Sequence, residues 1–166
     1  MNSPLKILLV AAEVFPFAKT GGLADVAGSL PPALKKLGHD VRVLLPKYTC
    51  TKSQPIHSLN KEITVGKTKA TLFEGRLAED VPVYLVENDA YFDREYLYGE
   101  PGSEYSDNAE RFAFFCQAAL ETCKALDFQP DVIHCNDWHT GLIPVYLKAI
   151  EDPWYSKIRT LFSIHN

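Results

Sequence analysis

Lys19-Thr20-Gly21-Gly22 lies between an apolar run, Ile7 to Ala12, and a segment whose apolar residues fall on helical spacing. Glycines without Cβ atoms let a ligand approach the backbone, and the first N–H groups of a helix have no internal partner, so this junction suits an anion such as phosphate. Lys19 adds a mobile ammonium. Asp25, one turn into the helix, suits a sugar hydroxyl or the positive end of the helix dipole. The spacing is neither that of a Walker loop nor Gly-x-Gly-x-x-Gly. A tight strand-to-helix turn with a solvated lysine accounts for the same residues.

Two further polar clusters occupy equivalent places, Asn136-Asp137-Trp138-His139 after a later apolar run and His165-Asn166 after the last. A carboxylate and an imidazole suit hydroxyl groups, and an indole suits the apolar face of a sugar. The plainer alternative is that Asp137 caps a helix and Trp138 packs locally. The spacing of His134 and His139 matches no standard zinc cluster, so no metal site is expected. Ser163 stands two residues before His165, but no nucleophile elbow surrounds it.

These clusters need strands to carry them. Leu23, Val26, Ala27, Leu30, Leu34 and Leu37 keep helical spacing, Gly38 stops the helix, and Val41 to Leu45 forms the next strand. Pro31 and Pro32 are expected to break or kink that helix near Leu30. Thr49 to Asn60 is polar and aperiodic, with Thr51 to Pro55 an exposed loop. Glu62 to Gly66, Thr71 to Leu77 and Pro82 to Val86 then form a strand meander beside or extending the main sheet. Asp89 to Tyr105, rich in tyrosine, glycine and proline, suits a long ordered loop that is either functional or anchored to the core by its rings.

Asp107 to Glu110 has the cap and third-position acid of a helix start, followed by an apolar stripe from Phe112 to Leu126. Val132 to Cys135 is a strand, Gly141 to Ile150 a helix, and Arg159 to Ile164 a final strand. Alternating strands and helices imply a Rossmann-like α/β fold, a mainly parallel sheet covered by helices. All three polar clusters follow strand carboxyl ends, where open α/β sheets bind ligands, so they are predicted to converge.

The chain has 166 residues, 46% of them hydrophobic, and a formal charge of −4. It can bury a substantial core as one domain. No basic run exceeds two residues, which argues against nucleic acid or an anionic membrane as the main partner. Cys50, Cys116, Cys123 and Cys135 show no paired spacing and read as reduced thiols in a cytosol-like compartment. The opening apolar run is too short for a signal peptide, and no stretch approaches transmembrane length.

With these residues assembled, the chain closely resembles the N-terminal catalytic region of bacterial glycogen synthases and plant starch synthases. The resemblance is carried by Leu8 to Tyr48 with its KTGGLAD core, then DNAERFAFF from Asp107, IHCNDWHTG from Ile133 and FSIHN from Phe162. It is looser over Thr49 to Gly99. The family implies a retaining glycosyltransferase of two-domain GT-B architecture that moves glucose from ADP-glucose to the non-reducing end of an α-1,4-glucan.

The same resemblance assigns roles to individual residues. Lys19, Gly21 and Gly22 line the donor site and Asp25 supports substrate binding. Asp137 and Trp138 lie near the glucose and acceptor. His165 bonds the transferred glucose with Asn166 beside it, and Tyr105 matches an active-site tyrosine. No cofactor or metal is implied, since basic side chains and helix N-termini meet the donor phosphates.

Residues 1–166 would then form the N-terminal, acceptor-side domain, incomplete at its C-terminal end. The family's second, nucleotide-binding domain supplies an arginine-lysine pair for the diphosphate and a carboxylate near the sugar, here from elsewhere, for instance a separate chain. The expected location is the cytoplasm, or the plastid in a plant. A non-catalytic glucan-binding or regulatory module of the same descent, and a small flavodoxin-like nucleotide binder, are the alternatives.

Overall fold

A computed structural model describes residues 3–165. Its centre is β1 (Lys6–Val10), where Leu8, Leu9 and Val10 are buried because the strand is flanked on both sides and covered on both faces. Each such side chain contributes about 1.5–3 kcal/mol of apolar burial. Helix α1 (Gly22–Lys36) and β2 (Asp40–Pro46) complete a β-α-β unit, with β1 and β2 paired in parallel.

Pro31 and Pro32 do not divide α1, which runs unbroken through both. Their missing N–H groups leave the carbonyls of Ala27 and Gly28 without helical donors. Burial of Leu23, Ala24, Ala27 and Pro31 holds the helix regardless, since packing and not propensity supplies most helical stability. Gly28 permits a further contact: a Cβ there would stand 2.5 Å from the Phe15 carbonyl oxygen, so the segment after β1 lies directly on the helix.

The region from Thr49 differs from the exposed loop expected. Thr49–Ser53 is a 3-10 turn whose Thr51 is fully buried and donates its hydroxyl to the Tyr48 carbonyl. β3 (His57–Val65) begins within the segment that reads as aperiodic, because a register shift between Ser58 and Lys61 breaks the two-residue alternation. β3, β4 (Thr68–Leu77) and β5 (Val81–Glu87) form the expected meander, antiparallel and extending the main sheet.

The segment after β5 is more ordered than a plain loop. It contains the short helix α2 (Asp89–Phe92), capped by the Asn88 side chain, and a two-residue hairpin of β6 (Gly99–Glu100) and β7 (Ser103–Glu104). Phe92 is fully buried among the rings of Tyr48, Phe112, Phe114 and Phe115.

Helix α3 (Asn108–Ala125) follows, and its predicted cap is otherwise engaged. The Asp107 carboxylate accepts two hydrogen bonds from Arg94, at 2.8 and 2.5 Å, a bidentate charged pair that outcompetes a cap. Arg111, fully buried, donates to the carbonyls of Tyr91 and Leu97 and to the Asn108 side chain at 2.7–3.0 Å.

β8 (Val132–Asn136) pairs with β1, and β9 (Arg159–Ser163) with β8, both in parallel. Between them, a 3-10 turn at Trp138–Thr140 precedes α4 (Ile143–Ala149), which is shorter than the spacing predicts. The sheet order is β3-β4-β5-β2-β1-β8-β9. β9 is an edge strand on which Leu161 and Phe162 are exposed, as is Ile164 just beyond it. Cys116, Cys123 and Cys135 are buried free thiols, and burial pushes Cys116 up to about 11. Among the described residues, no helix is long and apolar enough to cross a membrane.

The turn after β8 is locked to α3 by stacked rings. His139 lies 4.0 Å from Trp138 and 4.8 Å from Tyr98, centroid to centroid, with the Phe112 ring nearly perpendicular at 4.7 Å. Burial holds His139 neutral and lowers its pKa to about 4, against the opposing pull of Asp137 and Glu13. The unfolded chain takes up that proton first, so the stabilisation is complete above about pH 6.5 and is lost as the pH falls. We expect His139 to account for about 2 kcal/mol of destabilisation between pH 6.5 and pH 5. The variant His139→Phe, which keeps a ring in the stack, should lose less stability over that interval in urea titrations. Equal losses in the two proteins would show that His139 is not held neutral.

Candidate functional site

From β1 the chain moves outward to β2 on one side, and later returns to lay β8 on the other. The carboxyl ends of β1 and β8 therefore border a topological switch point, where open α/β sheets form ligand crevices. A cleft of about 740 Å³ lies there, lined by the segment after β1, the start of α1, Tyr98, Glu104, the turn after β8 and His165. The convergence predicted for the three polar clusters is present in Gly21 and Gly22, Asp137 to His139, and His165.

Glu13 organises the first wall. Its carboxylate is buried and accepts hydrogen bonds from the Thr20 N–H (2.5 Å), the Thr20 hydroxyl (2.6 Å), the Gly21 N–H (3.0 Å) and the Tyr98 hydroxyl (2.7 Å). Burial disfavours its charge, but the bonds from Thr20, Tyr98 and Gly21 outweigh that and hold the carboxyl below its usual pKa. Two of the turn's donors are thus turned inward onto Glu13 and do not face a ligand, contrary to expectation. Gly22 and Leu23, which line the cleft, are the next residues whose N–H groups lack an intrahelical partner.

Gly21 and Gly22 are not needed for the turn itself. Neither has a positive φ, and a Cβ on either would meet nothing within 4 Å. Absent side chains here keep the cleft open. Lys19 and Asp25 stand exposed and are paired with each other, Nζ lying 2.7 Å from both carboxylate oxygens.

The second wall turns on Asp137, whose φ of 59° with ψ of 179° is a strained conformation almost confined to glycine, held here by the bonds around it. Its N–H continues the ladder to the Ser163 carbonyl at 2.9 Å, while its carboxylate accepts the His165 N–H at 2.6 Å and caps no helix. The Asn136 amide donates to the carbonyls of Val10 and His134, so its oxygen faces His165 Nε2 at 2.8 Å. That oxygen only accepts, which fixes the proton on Nε2 and leaves Nδ1 to meet a ligand hydroxyl. Trp138 is 54% exposed, one indole face lying on His139 and much of the ring open.

Some readings shift. Tyr105 does not line the cleft, since its ring lies over Arg94 and Arg111, 4.7 and 5.1 Å from the guanidinium carbons. Tyr98 is the tyrosine that reaches the cleft. Ser163 bonds His134 Nε2 at 2.7 Å and is not an activated partner of His165. Asn166 lies outside the described residues. Sequence reasoning missed Glu13, Tyr98 and Glu104. The one available signal was Glu13 itself, a charge directly after a run that must be buried.

The wall these residues build is rich in acceptors. Glu13, Glu104 and Asp137 line the cleft, and no lysine or arginine does so among the described residues. Such a surface suits a neutral polyhydroxyl ligand better than it suits a phosphate.

Residues 6–166 match the family described as the starch synthase catalytic domain. Glycogen synthase 2 of Geobacter sulfurreducens is 48% identical over 98% of this chain and 35% of its own length. The glycogen synthase of Geotalea daltonii is 50% identical with the same coverage. Among solved structures, the catalytic domain of starch synthase IV from Arabidopsis thaliana, bound to ADP and acarbose, superposes with a TM-score of 0.85 at 33% identity, covering 99% of this chain and 34% of that one. The chain spans about a third of the length of the curated relatives it matches. With the match running from β1 to the last residue, over the strand ends that build the cleft, the chain belongs to the starch synthase catalytic-domain family.

Proposed function

We propose that these 166 residues form the N-terminal, sugar-side domain of a two-domain GT-B enzyme that transfers glucose, with retention, from ADP-glucose to the non-reducing end of an α-1,4-glucan. The observation that carries this reading is the acceptor-rich wall around an open indole, on a fold shared with a starch synthase that holds ADP and acarbose. Trp138 offers an apolar face to a pyranose ring. Asp137 and the free Nδ1 of His165 meet hydroxyl groups of the transferred glucose, orienting it as the bond to phosphate breaks.

Lys19 and Asp25 do not line the cleft, but Lys19 directly precedes Thr20 of its wall, and its exposed and therefore weak pairing with Asp25 leaves it able to turn to a phosphate. Gly21, Gly22 and the start of α1 give that phosphate room. Asn166 follows His165 and is proposed to act beside it. The wall itself carries no arginine or lysine for a diphosphate, so those cations come from the second domain, on the same polypeptide or a separate chain. The exposed β9 edge, with Leu161, Phe162 and Ile164, is the surface that the rest of such a protein would cover.

A second reading is a glucan-binding module without transfer, which the acceptor-rich wall, with no lysine or arginine among its described residues, also fits. The isolated chain should bind maltooligosaccharide calorimetrically and transfer no measurable glucose from ADP-glucose. Sustained elongation by the purified chain would overturn the two-domain reading.

Fusion to the remaining two thirds of the Geobacter sulfurreducens protein provides an assay for single residues. In that fusion, Lys19→Ala should raise the KM for ADP-glucose about tenfold or more, as expected for a charged contact of about 1.5–3 kcal/mol, with little change in melting temperature. Unchanged donor kinetics would make Lys19 a solvated lysine. His165→Ala should lower kcat strongly and leave ADP affinity nearly intact, because its contact is to the sugar in the transition state. Parallel loss of ADP binding and thermal stability would assign it a packing role instead.

A further inference from the structure

Asn136 ends β8 opposite Ser163 of β9, and its fully buried amide is held from both sides. The nitrogen donates to the Val10 carbonyl at 3.2 Å and to the His134 carbonyl at 3.1 Å, so the amide cannot turn over without setting its oxygen against two other acceptors. The oxygen is therefore kept toward His165 Nε2, 2.8 Å away. The main chain of His165 is held separately, its N–H donating to the Asp137 carboxylate at 2.6 Å. A further bond across the two strands, between His134 Nε2 and the Ser163 hydroxyl at 2.7 Å, ties the strand ends together just before these residues. Position and proton placement of the His165 ring are thus both set from β8.

We propose that Asn136 is a specificity-determining residue, which fixes His165 as a hydrogen-bond acceptor so that the sugar beside it must present a hydroxyl that donates. The proposal rests on the glucosyl-transfer reading above and adds a rule for which sugars the site admits. With its proton on Nε2, the imidazole has only a lone pair at Nδ1. Asp137, which lines the cleft beside it, is a carboxylate and likewise only accepts, so these two residues together offer no proton to a ligand. A glucose hydroxyl satisfies them because it carries one. Fluorine and a methyl ether have none to give, and a carboxylate on the sugar would meet the lone pair and Asp137 with charge of the same sign. Such an analogue is rejected because the site's own polar group is then left unpaired. Released from Asn136, the imidazole is free to place its proton on either nitrogen, and a donor at Nδ1 relaxes the rule.

The tautomer is measurable on the 166-residue chain with no change at Asn136. A long-range proton–nitrogen correlation spectrum at about pH 8, where an ordinary imidazole is neutral, should show a protonated Nε2 and a bare Nδ1 for His165, its signals identified by their loss in His165→Gln. A proton on Nδ1 would overturn the proposal whatever the enzyme does. The effect on specificity is read in the fusion described above, as kcat/KM for ADP-glucose and for analogues with fluorine in place of one sugar hydroxyl at a time. At the hydroxyl facing His165, fluorine should cost about a hundredfold or more, and Asn136→Ala should recover about tenfold of that loss relative to its own rate with ADP-glucose. The comparison cancels electron withdrawal by fluorine, which is the same in both proteins. Asn136→Ser, which keeps a hydroxyl to donate to a carbonyl, replaces the alanine variant where circular dichroism shows that it does not fold. Equal fluorine penalties at every position in the parent and the folded variant would overturn Asn136 as the determinant and leave glucosyl transfer standing. No transfer at all from ADP-glucose by the parent fusion would overturn both.

Discussion

A single buried carboxylate holds the cleft in shape. Glu13 follows a fully buried strand, where water cannot satisfy it, and it is bonded instead by two groups of Thr20, by Gly21 and by Tyr98. Three separate pieces of chain therefore have their relative positions set by one side chain: the end of β1, the glycine turn and the aromatic loop before α3. An ionised carboxylate suits this role because it accepts in several directions and its bonds are charge-assisted. The segment between β1 and the glycine turn also rests on α1, through the Phe15 carbonyl packed against Gly28, so the wall is fixed from below as well.

The aromatic loop has a second buried anchor of opposite charge. Arg111 reaches the carbonyls of Tyr91 and Leu97, and Asn108, itself bonded to Arg111, donates to the Tyr98 carbonyl. Both carbonyls bonded by Arg111 belong to the loop that delivers Tyr98 to Glu13. Burial disfavours the Arg111 charge and lowers its pKa, and the rings of Phe92, Tyr105 and Phe112 around the guanidinium at 5.1–5.4 Å offset part of that cost. Opposite charges thus sit at the two ends of the same loop, one at its root in α3 and one at its tip by the cleft.

Much of the main sheet was legible because parallel strands buried on both faces read as plain apolar runs, as in Leu8 to Val10 and Val43 to Leu45. The convergence of Gly21, Asp137 and His165 followed from strand order alone. Contacts that depend on tertiary competition were not legible. Asp107 has the sequence of a cap yet bonds Arg94, a partner thirteen residues away that no local rule weighs. Pro31 and Pro32 carry a strong local signal against a helix that packing overrides. β3 was obscured by its bulge, and Tyr98 could not be told from its neighbouring tyrosines because loop geometry selects among them.

The exposed edge of β9 bears on how the chain behaves in solution. Among the described residues no further strand pairs with its outer N–H and C=O groups, and Leu161 and Phe162 alternate along it, so apolar surface accompanies an open hydrogen-bonding edge. Such an edge is a template for another strand, and two copies of this chain can offer it to each other. A strand or helix laid over β9 would therefore protect against self-association. A charged residue at Leu161 or Phe162 would act as a gatekeeper for the separated chain, while removing apolar contact wherever that edge is covered.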